Sequence, residues 1–402
     1  MVSRQNLKTL PGKPYPMGAS FEPDGKVNFA AALHSLEECG VLLYLKNHGT
    51  PIRLPFRTGK RIGNIYCLQV DGLEGIDFKY NFYAGDEVVT DPYAGIVYGN
   101  ERWGKLVSPL LKGGIERESY DWEEDMPLMT PLAETVLYLL HTRGFTRHGS
   151  SGVSCKGTFA GIAEKIPYLL DLGITAVELM PSYEFMELEK PPKAEASMEA
   201  ALSHYMDPPE EETPRINYWG YKRGYYFAPK MSLSATGCPG REFRDMVKAL
   251  HRAGIEVVMQ FYFPMEVKQA YILEVVRHWV LEYHVDGFHL MGTQVPMALL
   301  ATEPILGNVK LFYQDIPCRE IFDGSQPPVY KNLATYNDGF LYAIRRFLKS
   351  DEGSLSPALE SLKRSGEQAG VINYITNYCG FTLADLVSYD RKHNEENGEG
   401  GS

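Results

Sequence analysis

The apolar positions along this chain follow two regimes that meet near residue 135. Before it they form short runs. Val27-Asn28-Phe29-Ala30-Ala31 and Cys39-Gly40-Val41-Leu42-Leu43-Tyr44-Leu45 are apolar between Gly, Asp and Glu, whereas residues 65–70 and 78–83 alternate between two faces. Closely spaced strands with turn residues between them predict an all-β, immunoglobulin-like sandwich over residues 1–110. Residues 111–134 are largely polar, with Trp122 among them, and read as a linker. From Thr135 onward short apolar strands alternate with helical spacing. Residues 136–141 are a strand, 158–171 a helix capped by Thr158, and 176–180 a strand. The alternation recurs at 240–253 and 255–260, at 267–283 and 285–290, and at 309–313. Such repetition predicts an α/β fold with a parallel sheet of TIM (β/α)8-barrel type over residues 135–402. The stretch 186–216, rich in Pro, Glu and Ala, is expected to be a surface loop.

Composition narrows the function classes. A chain of 402 residues can bury two cores. A net charge of −11 without a basic stretch lacks the footprint of a nucleic-acid binder. Nowhere is an apolar run long enough to span a bilayer, so no membrane partner is expected. The six cysteines, Cys39, Cys67, Cys155, Cys238, Cys318 and Cys379, show no pairing or metal spacing. They predict free, mostly buried thiols in a reducing, cytoplasmic setting, with no metal or cofactor. Aromatic content of 12%, with 26 Tyr, suits sugar stacking and a tyrosine-rich core equally.

Several segments in order along the chain carry a family resemblance. They include Gly144-Phe145-Thr146-Arg147-His148, Gly173-Ile174-Thr175-Ala176-Val177-Glu178-Leu179-Met180-Pro181 and Asn217-Tyr218-Trp219-Gly220-Tyr221. Val285-Asp286-Gly287-Phe288 and Gly380-Phe381-Thr382-Leu383-Ala384-Asp385-Leu386 follow. Together they resemble the glycogen-debranching and isoamylase branch of the α-amylase family, glycoside hydrolase family 13. The N-terminal region resembles the carbohydrate-binding module that precedes the barrel there. The resemblance implies an α-glucan ligand. It also implies an eighth βα unit and a C-terminal β domain after the seventh-strand motif, so the barrel here is expected to be truncated after strand seven, the chain being a fragment or its gap covered by a partner.

The resemblance also says which positions should hold the hydrolytic groups. The nucleophile strand runs Asp286-Gly287-Phe288-His289-Leu290-Met291, placing Met291 at the nucleophile and His289 at its arginine partner. Gln314 stands at the acid and Cys379 at the third carboxylate. On the third strand Gln260, Pro264 and Met265 replace an Asp and an Asn-His pair, and Leu139 replaces a Glu beside Tyr138. A thioether forms no glycosyl intermediate and a neutral amide delivers no proton. The expectation is a catalytically inactive homologue that binds or scaffolds glucan, with an active isoamylase-type subunit as the partner the resemblance implies. Tyr138, Trp219 and Tyr221 are the expected substrate-binding residues, with packing as the alternative for each. Two other readings stay open: an interaction subunit without glucan affinity, and an active α-1,6-glucosidase. Asp315, Asp286 and Glu282 are poorly placed to substitute for the missing carboxylates, and a Cys379–His289 pair is weighed as a thiolate and base.

Overall fold

The computed structural model describes residues 7–34, 37–46, 48–57, 61–105, 108, 110–117, 119–189, 215–322, 332–364, 366, 368–378, 383–389 and 391. In the N-terminal region two antiparallel sheets share one core. The first orders Lys8–Pro11, Ile65–Asp71, Val27–Ala32 and Gly18–Phe21; the second orders Ile96–Tyr98, Lys112–Gly114, Phe78–Ala84, Cys39–Leu45 and Ile52–Pro55. Val27, Phe29, Leu68 and Val70 from one face Val41, Leu43, Leu54, Tyr80 and Phe82 from the other. Each strand therefore has a reason to exist only as half of that core. The reading of 111–134 as linker changes at its start. Its residues Lys112–Gly114 are a strand of the second sheet, paired with Ile96–Tyr98.

Seven parallel strands follow, in the order Leu137–Leu140, Ala176–Leu179, Glu256–Tyr262, Gly287–Met291, Lys310–Phe312, Leu333–Tyr336 and Gly370–Ile372. Each is paired to the next in sequence, as right-handed βα crossovers require. Among the described residues, no strand pairs with the outer edge of the first or the seventh. A cleft of about 1530 Å³ lies between them, lined by Leu137, Leu139, Phe312, Ala334 and Ile372. The interior is layered. At the bottom the Lys310 ammonium donates to both carboxylate oxygens of Glu256, at 2.7 and 2.6 Å, and to the Thr130 carbonyl. Above it sit Val258, Phe312 and Ala334, with Leu132, Leu137 and Ile372 against them. Among the described residues no helix is long and apolar enough to cross a membrane.

The helix expected over 158–171 is two, Phe159–Ala163 and Ile166–Asp171. Pro167 cannot continue the hydrogen-bond ladder and instead opens the second. Thr158 caps the first as expected, its hydroxyl accepting from the Gly161 amide at 3.2 Å. The surface-loop reading of 186–216 is corrected at its start. Glu187 is fully buried, and Leu188–Glu189 pairs with Arg215–Ile216; residues 190–214 lie outside the described residues. Of the cysteines, five are described and free, but only Cys39 is buried and Cys238 is exposed.

Two polar clusters join the parts. Lys230, with no exposure, donates to Glu184 at 3.0 Å, to Glu187 at 2.8 Å and to the Phe185 carbonyl at 2.7 Å. Asn100, from the N-terminal side, donates to the same two carboxylates at 2.9 and 2.7 Å. Under the barrel, His251 bridges Asp125 at 3.0 Å and Asp286 at 2.8 Å. His284 also reaches Asp125, at 2.6 Å, while its ring stacks on Trp122 at 3.8 Å between centroids. With Lys248 gripping Glu123 at 2.8 Å, the stretch read as a linker is tied along the barrel floor.

Two outcomes follow. Lys230→Met leaves two buried carboxylates without their cation, a change that costs about 3–5 kcal/mol, read as a lower urea midpoint and melting temperature. Burial opposes protonation of His251, but its hydrogen bond to Asp286 and the charges of Asp286 and Asp125 win, raising its pKa above 6.5. The folded state thus holds that proton more tightly, and the stabilisation, complete below 6.5, is lost as pH rises through the folded value. The urea midpoint should fall between mildly acidic and alkaline pH, and the His251→Gln variant should show a flatter dependence.

Candidate functional site at the barrel mouth

Strand alternation brings three polar side chains to the C-terminal end of the interior. Glu178 comes from the second strand, Gln260 from the third and His289 from the fourth. Glu178 has no exposure and accepts from Gln260 Nε2 at 2.6 Å, from His289 Nδ1 at 2.6 Å and from the Tyr336 hydroxyl. Burial alone would raise its pKa. The charge of His289 and the hydrogen bonds from His289, Tyr336 and Gln260 outweigh that and hold it below 4.5. The His289 ring lies stacked on Tyr336, with centroids 4.9 Å apart. Outward from Gln260, its Oε1 accepts from the Tyr221 hydroxyl at 2.6 Å.

Tyr221 belongs to the turn Asn217-Tyr218-Trp219-Gly220-Tyr221, whose geometry is set by Gly220. Its φ is +81°, a left-handed value that glycine takes without strain, and a Cβ there would meet the Phe185 ring at 2.6 Å. Asn217 Oδ1 accepts from the Gly220 amide at 2.9 Å, closing the turn. Trp219 is 44% exposed, and Tyr378 packs 6.2 Å from it and 5.6 Å from Tyr221. These three rings form a shelf beside the mouth, and Trp219 and Tyr378 also line the upper part of the cleft.

His141, at the end of the first strand, supports the shelf from behind. Its Nε2 donates to the Tyr218 carbonyl at 2.8 Å, its Nδ1 accepts from the Gly144 amide at 3.0 Å, and its ring stacks on Tyr218 at 4.2 Å. Burial lowers its pKa to about 4, against the Tyr218 carbonyl, which raises it, and with the help of the Arg143 charge.

The structure brings Trp219 and Tyr221 together on one turn, and Tyr138 lines the same cleft as Trp219 without joining the shelf. Tyr138 packs on Phe145 and Tyr168, 5.7 and 6.5 Å away, on the helix side of its strand. Met291 is half-buried at the end of the fourth strand, where its carbonyl accepts from the Phe263 amide at 2.8 Å. Gln314 and Asp315 are both exposed, beyond the end of the fifth strand at Phe312. Cys379 lies outside the described residues, so its pairing with His289 does too. Asp286 is committed beneath the barrel to His251, and Glu282 lies at a helix end near Arg244. Sequence reading missed His141, Tyr336 and Tyr378. It quoted Glu178 only within a motif, although one carboxylate in the apolar strand Ala176–Leu179 signals a set of buried donors. Among the described residues no group of three or more His, Cys, Asp or Glu is placed to hold a metal ion.

No family model matches the chain. It is 28% identical to isoamylase 1, chloroplastic, of Oryza sativa subsp. japonica, covering 98% of this chain and 61% of that protein. It is 28% identical to the glycogen operon protein GlgX homolog of Haemophilus influenzae, covering 96% and 69%. With the glycogen debranching enzyme of Serratia proteamaculans it shares 29% identity over 97% and 70%. The chain thus spans about three fifths of the length of the first of these relatives. In fold it is similar to apo pullulanase from Paenibacillus barengoltzii, with a TM-score of 0.68 and 19% identity over 96% of this chain and 69% of that one. By sequence, then, its relatives are debranching enzymes of the isoamylase type; by fold its β region and seven-stranded parallel sheet are similar to part of a pullulanase.

A neutral His141 has a measurable consequence. Because its folded pKa lies near 4, below the unfolded value of 6.5, its contribution is present above 6.5 and is lost as pH falls through about 4. Its ring resonances should stay unchanged from neutral pH down to about 5, and shift only below.

Proposed function

We propose that this chain is an α-glucan-binding homologue of the isoamylase-type debranching enzymes that does not itself hydrolyse, and that it serves as a binding or scaffolding subunit in glycogen or starch metabolism. One observation carries the reading: an aromatic shelf stands over a mouth whose buried carboxylate is already spoken for. Trp219, Tyr221 and Tyr378 supply flat apolar faces of the kind that pack on sugar rings. Retaining hydrolysis needs a free carboxylate nucleophile and a carboxylic acid about 5 Å apart. Glu178 accepts three hydrogen bonds and stays ionised, so it has no proton to give. Met291 and Gln314, where the resemblance puts nucleophile and acid, offer neither group.

The relatives support the ligand class. One pullulanase of this fold was solved with maltohexaose and α-cyclodextrin, and the sequence relatives carry isoamylase and glycogen-debranching names. An active isoamylase-type chain is the proposed partner, supplying the carboxylates this mouth lacks.

Native electrophoresis with and without glycogen in the gel tests the binding. The folded chain should be retarded by glycogen and should release no reducing ends from glycogen or amylopectin. Trp219→Ala should weaken retention by about 1–2 kcal/mol, roughly 5- to 30-fold. Release of reducing ends by the wild-type chain would overturn the inactive reading. Unchanged mobility would overturn the binding reading. Restoring Met291→Asp, Gln314→Glu and Cys379→Asp together should still yield no hydrolysis while Glu178 and His289 remain paired.

A further inference from the structure

The turn that presents Trp219 is held from behind by one imidazole whose two nitrogens bind different parts of the chain. A carbonyl oxygen only accepts and a backbone amide only donates, so the partners of His141 fix its tautomer. Nε2 carries the proton and gives it to the Tyr218 carbonyl at 2.8 Å, whereas Nδ1 is bare and accepts from the Gly144 amide at 3.0 Å. The bond at Nδ1 caps the short helix Thr142–Arg147, which His141 precedes as its N-cap residue. The bond at Nε2 leaves that helix and grips the backbone of the turn one residue before Trp219.

The rings reinforce this grip. The imidazole lies 4.2 Å from the Tyr218 ring and nearly parallel to it, at 16°. The Trp219 indole stands edge-on to both, 5.3 Å from Tyr218 and 6.1 Å from His141. Edge-to-face contacts are directional, so the tilt of the stacked pair sets the tilt of the indole. Trp103 meets the same pair edge-on, 5.8 Å from each ring. Gly144 completes the seat. A Cβ there would lie 2.7 Å from the Tyr218 hydroxyl oxygen, so the bare backbone is what lets that ring lie over the start of the helix.

We propose that His141 is the positioning residue of the aromatic shelf: its Nε2 proton, given to the Tyr218 carbonyl, fixes the backbone from which Trp219 is presented to a glucan chain. His141 touches no sugar in this arrangement and acts through Tyr218 and Trp219. The proposal rests on the glucan-binding reading above and specifies what holds that surface in place.

Two amide side chains separate the two nitrogens. Asparagine places its oxygen near the position of Nδ1, keeps the helix cap and falls short of the Tyr218 carbonyl. Glutamine places its nitrogen near the position of Nε2, keeps the bond to Tyr218 and gives up the cap. Both lose the ring, so stacking is removed equally. Maltohexaose affinity is measured by titration calorimetry on the folded chain, with melting temperature alongside. His141→Asn should bind about fivefold more weakly than His141→Gln, while His141→Gln should melt at the lower temperature. An imidazole with a merely structural role would move affinity and melting temperature in the same order. In a Trp219→Ala background the two variants should bind alike, because the indole through which Nε2 acts is gone. Equal affinity of the two single variants, tighter binding by His141→Asn, an affinity order that follows the melting temperatures, or a difference that persists without Trp219 overturns the proposal. Should either variant at 141 fail to fold, Gly144→Ala decides, since it keeps the imidazole and crowds only the Tyr218 hydroxyl: weakened binding supports the proposal and wild-type affinity overturns it. Absence of maltohexaose and glycogen binding by wild type would instead overturn the glucan-binding reading and this proposal with it.

Discussion

The ammonium of Lys230 sits in the interior with no exposure, and much of the molecule is arranged to make that tolerable. A lone buried cation costs several kcal/mol, so it persists only inside a complete shell of acceptors. Glu184, Glu187 and the Phe185 carbonyl provide that shell from one short stretch after the second barrel strand. Asn100 adds its amide from the N-terminal region to the same carboxylates. Trp103 and Phe185 close over the top, with Lys230 5.4 and 4.2 Å from their ring centres. The β region and the barrel are therefore held by a polar knot beside a small apolar seam of Ala94, Val97, Leu111 and Ala228, and the knot fixes their register more strictly than it adds stability.

The mouth inherits its geometry from that knot. Phe185, whose carbonyl is one of the acceptors, carries the ring on which Gly220 rests. Tyr183, just before it, is buried and directs its hydroxyl to the Gly220 and Lys222 carbonyls at 3.2 and 3.0 Å. The turn bearing Trp219 and Tyr221 is thus braced from beneath by residues whose own backbone is pinned by Lys230. Its other wall, His141, faces Trp103 at 5.8 Å and so leans on the same group. A change at the interface between the two regions should reach the aromatic shelf through packing alone.

Much of this was legible from the chain because burial leaves a pattern. The runs at 27–31, 39–45, 65–70 and 78–83 match observed strands to within a residue at either end. Each contributes to the sandwich core, so its apolar content is compulsory. Lys8–Pro11, fully exposed, and the two-residue Arg61–Ile62 left no such trace, being edges held by backbone pairing. The sixth barrel strand, Leu333–Tyr336, was too short and mixed to stand out. The side taken by Tyr138 was illegible for another reason. In Leu137–Leu140 every residue is apolar enough for either face, so the sequence does not say which side is the interior. The stretch 111–134 looked like a spacer because its partners are charged groups more than a hundred positions away, and pairing at that distance has no periodicity. The hub at Glu178 was not visible, since it depends on three strands meeting in register.

The placement of the four tryptophans gives this protein an unusual optical property. Trp103 lies at the junction of the two regions, Trp122 on the floor against His284, Trp219 on the shelf, and Trp279 deep in the barrel core with no exposure. Each reports a different polarity and a different neighbour. Trp122 emits from a ring stacked on the His284 imidazole, so its signal reports whether that contact on the floor is made. Because the remaining three stand apart from that imidazole, emission from one unlabelled chain carries separable signals from floor, junction, mouth and core.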